Sequence, residues 1–328
     1  MLAEASDTAR RTVLITGAAG LIGVPVVRTL RARGFRVVAV DDGSAGTFDR
    51  LDEFAGCAEF KPEALDIRER SQLIELVAAE RPWAVVHLAA RHFIPDCDDA
   101  PADTLAVNVL GTQHLLDACA AHPPQRLVFA STADVYAPSD IPHREDDPVD
   151  PQGVYGLSKL FAERLIQDQA SRLGTCTAVI ARLFNVYGPD DPHPHLLPEV
   201  LRQAELGKTL RLGDLNTSRD FVYAADVADA LTVLLTTACS GVFNVGTGVT
   251  ATGRELVELV SSLTGRSLET RVGPERLRPH LRPVSCAEPE RLRHMAPWWP
   301  RTRLRAGIGQ IVTADLHSFP EDSEGGAS

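Results

Sequence analysis

Tyr155 and Lys159 stand four residues apart in a stretch patterned as a helix, so the two side chains share one face. A phenol with an ordinary pKa near 10 is a poor base. An ammonium beside it favours the phenolate and lowers that value. Tyrosine–lysine pairs at this spacing arise often by chance. Here, however, Lys61, Lys159 and Lys208 are the only lysines against thirty arginines, and a lysine kept under that bias marks a place that needs an ammonium. Upstream, Thr16-Gly17-Ala18-Ala19-Gly20-Leu21-Ile22-Gly23 leads from an apolar strand pattern into a helical one. Gly17, Gly20 and Gly23 permit a tight turn and close approach of the backbone to a pyrophosphate. The following helix start, with Leu21 and Ile22, offers N–H groups and its dipole to the anion. Asp41 and Asp42 end the next strand pattern, about 20 residues past the glycines, where a carboxylate accepts hydrogen bonds from ribose hydroxyls and repels a 2′-phosphate. This combination predicts NAD rather than NADP, with Asp41 as the main ribose contact.

Such residues need a scaffold that brings strand ends together. Apolar runs at 12–16, 36–40, 84–88 and 127–130 read as buried parallel strands, with a further strand at 176–182. Helical patterns lie at 21–33, 68–79, 104–121 and 154–172. This alternation predicts βαβ units and an α/β fold with a doubly wound, Rossmann-type parallel sheet. Past Gly188 the texture changes to a proline-rich loop and then to short mixed elements. Residues 1–188 are therefore expected to form the dinucleotide-binding domain, with some chain returning from the second half. Residues 189–317 are expected to form a smaller substrate-binding lobe, and 318–328 a disordered tail. The tryptophans Trp298-Trp299 are expected to form a C-terminal core patch.

Composition bounds the function. The chain has 328 residues, 44% of them hydrophobic and 23% charged, which suits a globular protein with a sizeable core. A net charge of −11 argues against nucleic acid as partner, because phosphate backbones select net basic surfaces. It leaves room for a small anion held by a few local arginines. Cysteines at 57, 97, 119, 176, 239 and 286 form no Cys-x-x-Cys motif and read as free thiols in a reducing compartment. Residues 1–11 show no secretory h-region, and no apolar run reaches the ~18 residues of a membrane helix. The expected location is the cytoplasm. His92, His193 and His195 lack metal-ligand spacing, so no metal is expected. Arginine-rich, lysine-poor usage points to a bacterium of high G+C content.

Taken in order, these motifs resemble the extended short-chain dehydrogenase/reductase family, specifically its nucleotide-sugar epimerases and dehydratases, over roughly residues 11–315. The resemblance implies that Asp66 and Ile67 contact adenine. It implies that Leu88, Ala89 and Ala90, after His87, line the ribose and nicotinamide, and that Asn108 supports the cofactor site from the helix behind the sheet. Ser131-Thr132-Ala133-Asp134-Val135-Tyr136 is similar to the family's catalytic segment, making Thr132 the catalytic hydroxyl, Tyr155 the general base and Lys159 the residue that orients the ribose. On the substrate side, Arg91, Asn185, His195, Leu196 and Arg219 match positions that hold the sugar nucleotide. Arg278-Pro279 matches a second diphosphate contact, with Arg282-Pro283 as an alternative register. The resemblance also implies a homodimer built on the helices near 104–121 and 154–172, and a UDP-sugar as the favoured substrate.

Three departures bear on the reaction. Cys97 stands where the family has serine, with Pro95 beside it, in a loop that faces the sugar. Ala137 replaces a glycine. Ala133-Asp134 replaces the Asp-Glu pair of the 4,6-dehydratases. Dehydration needs an acid for the departing hydroxyl and a base for the C5 proton. Ala133 cannot be the acid, so epimerisation, most simply at C4 through a 4-keto sugar, ranks above 4,6- or 5,6-dehydration. A non-catalytic dinucleotide-binding module ranks last, because Thr132, Tyr155 and Lys159 are all present.

Overall fold

The computed structural model describes residues 11–277 and 282–317. The expected tail 318–328 and the diphosphate candidate Arg278 lie outside the described residues. Along the chain, β1 (Thr12–Thr16), β2 (Arg36–Asp41), β3 (Phe60–Ala64), β4 (Ala84–His87), β5 (Arg126–Thr132) and β6 (Thr177–Leu183) alternate with helices that include Gly23–Ala32, Arg70–Glu80, Thr112–Ala120 and Val154–Leu173. Shorter strands follow: β7 (Asn185–Tyr187), β8 (Thr209–Leu212), β9 (Ser218–Tyr223), β10 (Gly241–Val245), β11 (Thr250–Thr252), β12 (Glu269–Val272) and β13 (Val284–Ser285).

Seven of these strands form a parallel sheet in the order β3-β2-β1-β4-β5-β6-β10. This is the Rossmann arrangement, with its crevice where the winding reverses between β1 and β4. Strand alternation feeds a core on each face. Val13 and Ile15 of β1 join one cluster with Val24, Val27 and Leu30 of the first helix. Leu14 joins the opposite cluster with Leu73, Leu115 and Ile166. Both faces are covered, as a parallel sheet requires. Register sets the site: Thr16 pairs with Val40 and with His87, so the chain leaves β1, β2 and β4 at one level.

The second half is shared between two bodies. Helix Ala224–Thr236 and β10 return to the Rossmann sheet, where Val227, Leu231, Leu234 and Phe243 enter its core. β7, β11 and β13 each pair with β9, and β8 pairs with β12. Helices Leu196–Leu206, Gly253–Thr264 and Leu304–His317 complete this smaller lobe around Val200, Leu256 and Ile308.

Several expected elements are redrawn. β3 carries no strand signal because it reads Phe-Lys-Pro-Glu-Ala. It is a sheet edge, where the missing N–H of Pro62 costs no ladder bond. The helix expected at 104–121 starts at Pro101 and contains a π-helical turn, Ala106–Gly111, before Thr112–Ala120. The tryptophan pair divides. Trp298 is buried and donates to the Asp226 carbonyl, whereas Trp299 is exposed under the Arg293 guanidinium.

Candidate active site

The glycine turn is built by close packing. Gly17 has φ +71°, and a Cβ on it would sit 2.7 Å from the Ala89 nitrogen. A Cβ on Gly23 would collide with the Gly17 carbonyl. The bare backbone between β1 and the Gly23–Ala32 helix is thus a cradle that side chains would fill, and that helix has no acidic residue in its first turn to oppose an anion. Leu21 and Ile22 are half-buried at its start.

Asp41 locks the next strand end to this turn. Its carboxylate accepts the Ala19 N–H (2.9 Å) and the Gly43 N–H (2.9 Å). Burial raises its pKa, and those two backbone bonds act against that. Asp42 is exposed and turned to Ser44. Asp66 accepts two guanidinium N–H groups from Arg68, which holds it below the usual carboxylate range, while Ile67 is buried beside Gly111. Leu88, Ala89 and Ala90 line the opposite wall, the first two anchored to Thr16 through its carbonyl and hydroxyl. These residues fit a dinucleotide. Two more belong to the cradle and carry no sequence signal of their own. Gly46 packs onto the Ala19 carbonyl, where a Cβ would collide, and Arg50 donates to that same carbonyl (3.0 Å).

The chemical groups converge on the other side of the crevice. Thr132 ends β5 and caps the short turn Ala133–Val135, its hydroxyl oxygen accepting the Asp134 N–H at 3.2 Å. Tyr155 lies in the first turn of the Val154–Leu173 helix. Gly156 lets that helix lie against the turn, since a Cβ there would sit 2.6 Å from the Asp134 carbonyl oxygen. Lys159, one helical turn on, is buried with its Nζ 4.1 Å from the centre of the Phe129 ring.

The expected lowering of the Tyr155 pKa by Lys159 is not what this structure shows. Burial raises the phenol, the Asp134 charge raises it further, and only a hydrogen bond with Thr132 favours the phenolate. Burial likewise pushes Lys159 down to about 7, against the opposing pull of Glu163. Both groups sit in a dry site that disfavours their charged forms.

Buried polar networks hold this arrangement. Asn108, in the π-helical turn, donates to the Arg91 carbonyl and the Ser158 hydroxyl (both 2.9 Å) and accepts the Arg91 N–H (2.8 Å). Its amide is used inside the protein, so it positions the Arg91 loop and the Val154–Leu173 helix. Ser158 in turn donates to the Tyr155 carbonyl. His87 bridges Thr16 and Thr112, and burial lowers its pKa to about 3, so it stays neutral. Glu163 accepts from Ser131 (2.5 Å) and from the Arg182 guanidinium (2.8 and 3.0 Å), fixing the residue before Thr132.

The substrate-side candidates line the smaller lobe's approach. Asn185 is exposed on β7, which pairs with β9, the strand that carries Arg219. Arg219 donates to the Ser218 carbonyl. His195 caps the helix begun by half-buried Leu196, its ring held by Asp191 (2.8 Å). Arg91 reaches the Asp96 carbonyl. His92 and Phe93, from the loop after β4, pack against His193 and His195, so the two lobes touch through four rings. Among the described residues no cluster can hold a metal ion. Arg282, the alternative diphosphate residue, is buried instead on the Ala133 and Asp134 carbonyls.

Residues 13–246 match the model of the NAD-dependent epimerase/dehydratase family. The chain belongs to this family. Among curated relatives in the epimerase/dehydratase family, UDP-glucose 4-epimerase of Mycolicibacterium smegmatis is 34% identical over 306 residues, covering 91% of this chain and 96% of that one. The crystal structure of the Thermus thermophilus UDP-glucose 4-epimerase in complex with NAD superposes with a TM-score of 0.83 at 30% identity, over 94% of this chain and all of the other. MoeE5 in complex with UDP-glucuronic acid and NAD gives a TM-score of 0.84 at 30% identity, with the same coverage.

Proposed function

We propose that this chain is an NAD-dependent nucleotide-sugar epimerase that inverts C4 of a UDP-sugar. The observation that carries the reading is the meeting of Thr132, Tyr155 and Lys159 at the strand ends, across the crevice from the glycine cradle. The glycine turn, Asp41, Asp66 and the 88–90 wall would hold NAD, which supplies an acceptor and donor for one hydride. Asp41 disfavours a 2′-phosphate at the ribose.

Tyr155 takes the C4 hydroxyl proton as its phenolate, directly or through Thr132, and the positive charge of bound NAD would offset the burial and the Asp134 charge that raise its pKa. The Thr132 oxygen already accepts the Asp134 N–H, so its own proton is free to be donated toward the phenol or the sugar. Lys159 supplies the donors that orient the ribose and positive charge beside the reacting centre. Asn185, His195 and Arg219 grip the nucleotide diphosphate and leave the sugar ring to turn as a 4-keto species before Tyr155 returns the proton. The UDP-glucose 4-epimerase relatives and the UDP-sugar complex support the nucleotide.

A dehydratase is the second reading, since Asp134 acts electrostatically on Tyr155 and offers a carboxylate near the base. Incubation with UDP-, dTDP-, GDP- and CDP-sugars in D₂O, read by mass and proton NMR, separates the two. Unchanged mass, an altered C4 coupling pattern and no deuterium at carbon are expected. Loss of water with deuterium uptake would overturn the epimerase and make Asp134 the base.

The enzyme works as a homodimer in this reading. Leu105, Leu110, Leu157 and Phe161 are between 41% and 58% exposed on helices packed side by side, an apolar surface of the kind a partner subunit covers. Arginine-rich usage supports a bacterial source. Free cysteines support a reducing, cytoplasmic setting. Among the described residues no helix is long and apolar enough to cross a membrane.

A further inference from the structure

We infer that Arg282 is a positioning residue that ties the nucleotide-holding strand to the catalytic threonine. β13 pairs in parallel with β9, Val284 opposite Ser218 and Ser285 opposite Arg219. The Pro283 carbonyl accepts the Ser218 N–H at 2.8 Å, and Arg219 reaches the same carbonyl at 3.5 Å. The residue beside Pro283 leaves this ladder and crosses to the other lobe. Arg282 donates through Nη1 to the Ala133 carbonyl (3.0 Å) and through Nη2 to the Asp134 carbonyl (2.8 Å), 149 and 148 residues away in sequence. It is 7% exposed.

Those two carbonyls belong to the turn whose Asp134 N–H is donated to the Thr132 hydroxyl. The two peptide units flanking Asp134 are therefore held from three sides. Arg282 donates to both of their oxygens, Thr132 accepts the Asp134 N–H, and Gly156 of the Tyr155 helix packs against the Asp134 oxygen. The fork of a guanidinium reaches two neighbouring carbonyls from one rigid plane, which the single ammonium of a lysine does not reproduce. Removing the fork takes the donor from the Asp134 carbonyl and leaves the Ala133 carbonyl with the Tyr136 N–H alone (3.1 Å), which frees the turn to rotate. The Thr132 hydroxyl then loses its set direction toward Tyr155. Contacts run from Arg219 through Pro283 and Arg282 to Thr132, so a sugar nucleotide gripped at β9 is felt at the proton relay.

This inference rests on the reading of Thr132 as the relay, and a double-mutant cycle separates the two. Arg282→Lys and Arg282→Ala are compared with Thr132→Val and with the doubles, measuring kcat and KM on the active UDP-sugar. Arg282→Ala is expected to lower kcat about 10- to 100-fold with KM moved less than about 3-fold. In the Thr132→Val background the same change is expected to cost under about 2-fold, because the relay is already gone. Added guanidinium should restore part of the Arg282→Ala rate. If Arg282→Ala does not fold, Arg282→Lys, which keeps the charge and loses the fork, carries the same cycle. Losses that multiply in the double variant, with Thr132→Val impaired alone, overturn the Arg282 inference and leave the active site standing. A raised KM with unchanged kcat also overturns it and returns Arg282 to the diphosphate. Full activity of Thr132→Val overturns the relay itself, and the inference with it.

Discussion

The two walls of the crevice recognise by opposite means. The dinucleotide side is made of backbone brought close by missing side chains: Gly17, Gly23 and Gly46 each stand where a Cβ would press on a main-chain atom. The side proposed for the sugar nucleotide offers side chains instead, Asn185, His195 and Arg219 on β7, a helix start and β9. One wall is therefore damaged by adding atoms and the other by removing them. A cradle for a single cofactor gains from rigidity, whereas a site that lets a sugar turn gains from a few anchoring contacts.

The largest test of that contrast is Tyr155→Phe, which deletes one oxygen between the walls. It should lower kcat by roughly 10³-fold or more while NAD still binds. Full turnover would remove Tyr155 as base. Next, Gly23→Ala should abolish NAD binding and lower the yield of folded protein, because its methyl meets the Gly17 carbonyl and the Ala18 backbone within a helix that cannot retreat. NAD titration followed by fluorescence checks it, and tight binding would show that the cradle is looser than its packing. Arg219→Ala should raise KM for the sugar nucleotide about 10- to 100-fold, the worth of one charge-assisted contact, with NAD affinity unchanged.

A smaller effect concerns Lys159, which burial pushes down from the 10.5 of an ordinary lysine to about 7. Between those values the unfolded chain holds more protons, so stability rises with pH. Without NAD, Lys159→Met should melt higher than the wild type at pH 6–7, and the gap should close as pH climbs toward 10. A pH-independent gap would mean that the ammonium is not disfavoured by burial. Smallest is Phe161→Glu, expected to leave the crevice intact and turn the proposed dimer into a monomer in light scattering. An unchanged mass would place the partner surface elsewhere.

The same contrast explains what was legible in the sequence. The glycine turn, Asp41 and the Tyr155–Lys159 spacing are local, and local rules place them on the right elements. The central sheet was readable wherever strands are apolar. β3 is not, because an edge strand tolerates Pro62, and the apolar β10 is foreseen only as chain returning from the second half, because nothing near Gly241 names its partner β6. Asn108 was visible as a residue but not as a clamp, since its use depends on a π-helical turn that changes where its side chain points. Arg282 is legible in the sequence only as an alternative diphosphate contact. Its partners lie about 150 residues away, and only the fold brings them together. The raised pKa of Tyr155 is hidden for a related reason: helical spacing says which residues share a face, not how dry that face is.

The returning strand β10 has a consequence for how the chain is made. β6 is complete at Leu183, and its outer neighbour begins only at Gly241. At about 5–20 residues per second, ribosomes leave roughly 3–12 s between the two. Throughout that interval the first lobe carries an open parallel edge with Val179 and Ile180 beside it, a template for pairing with another nascent chain. A gene cut at residue 188 would make that interval permanent. The product would be an aggregate rather than a small nucleotide-binding domain.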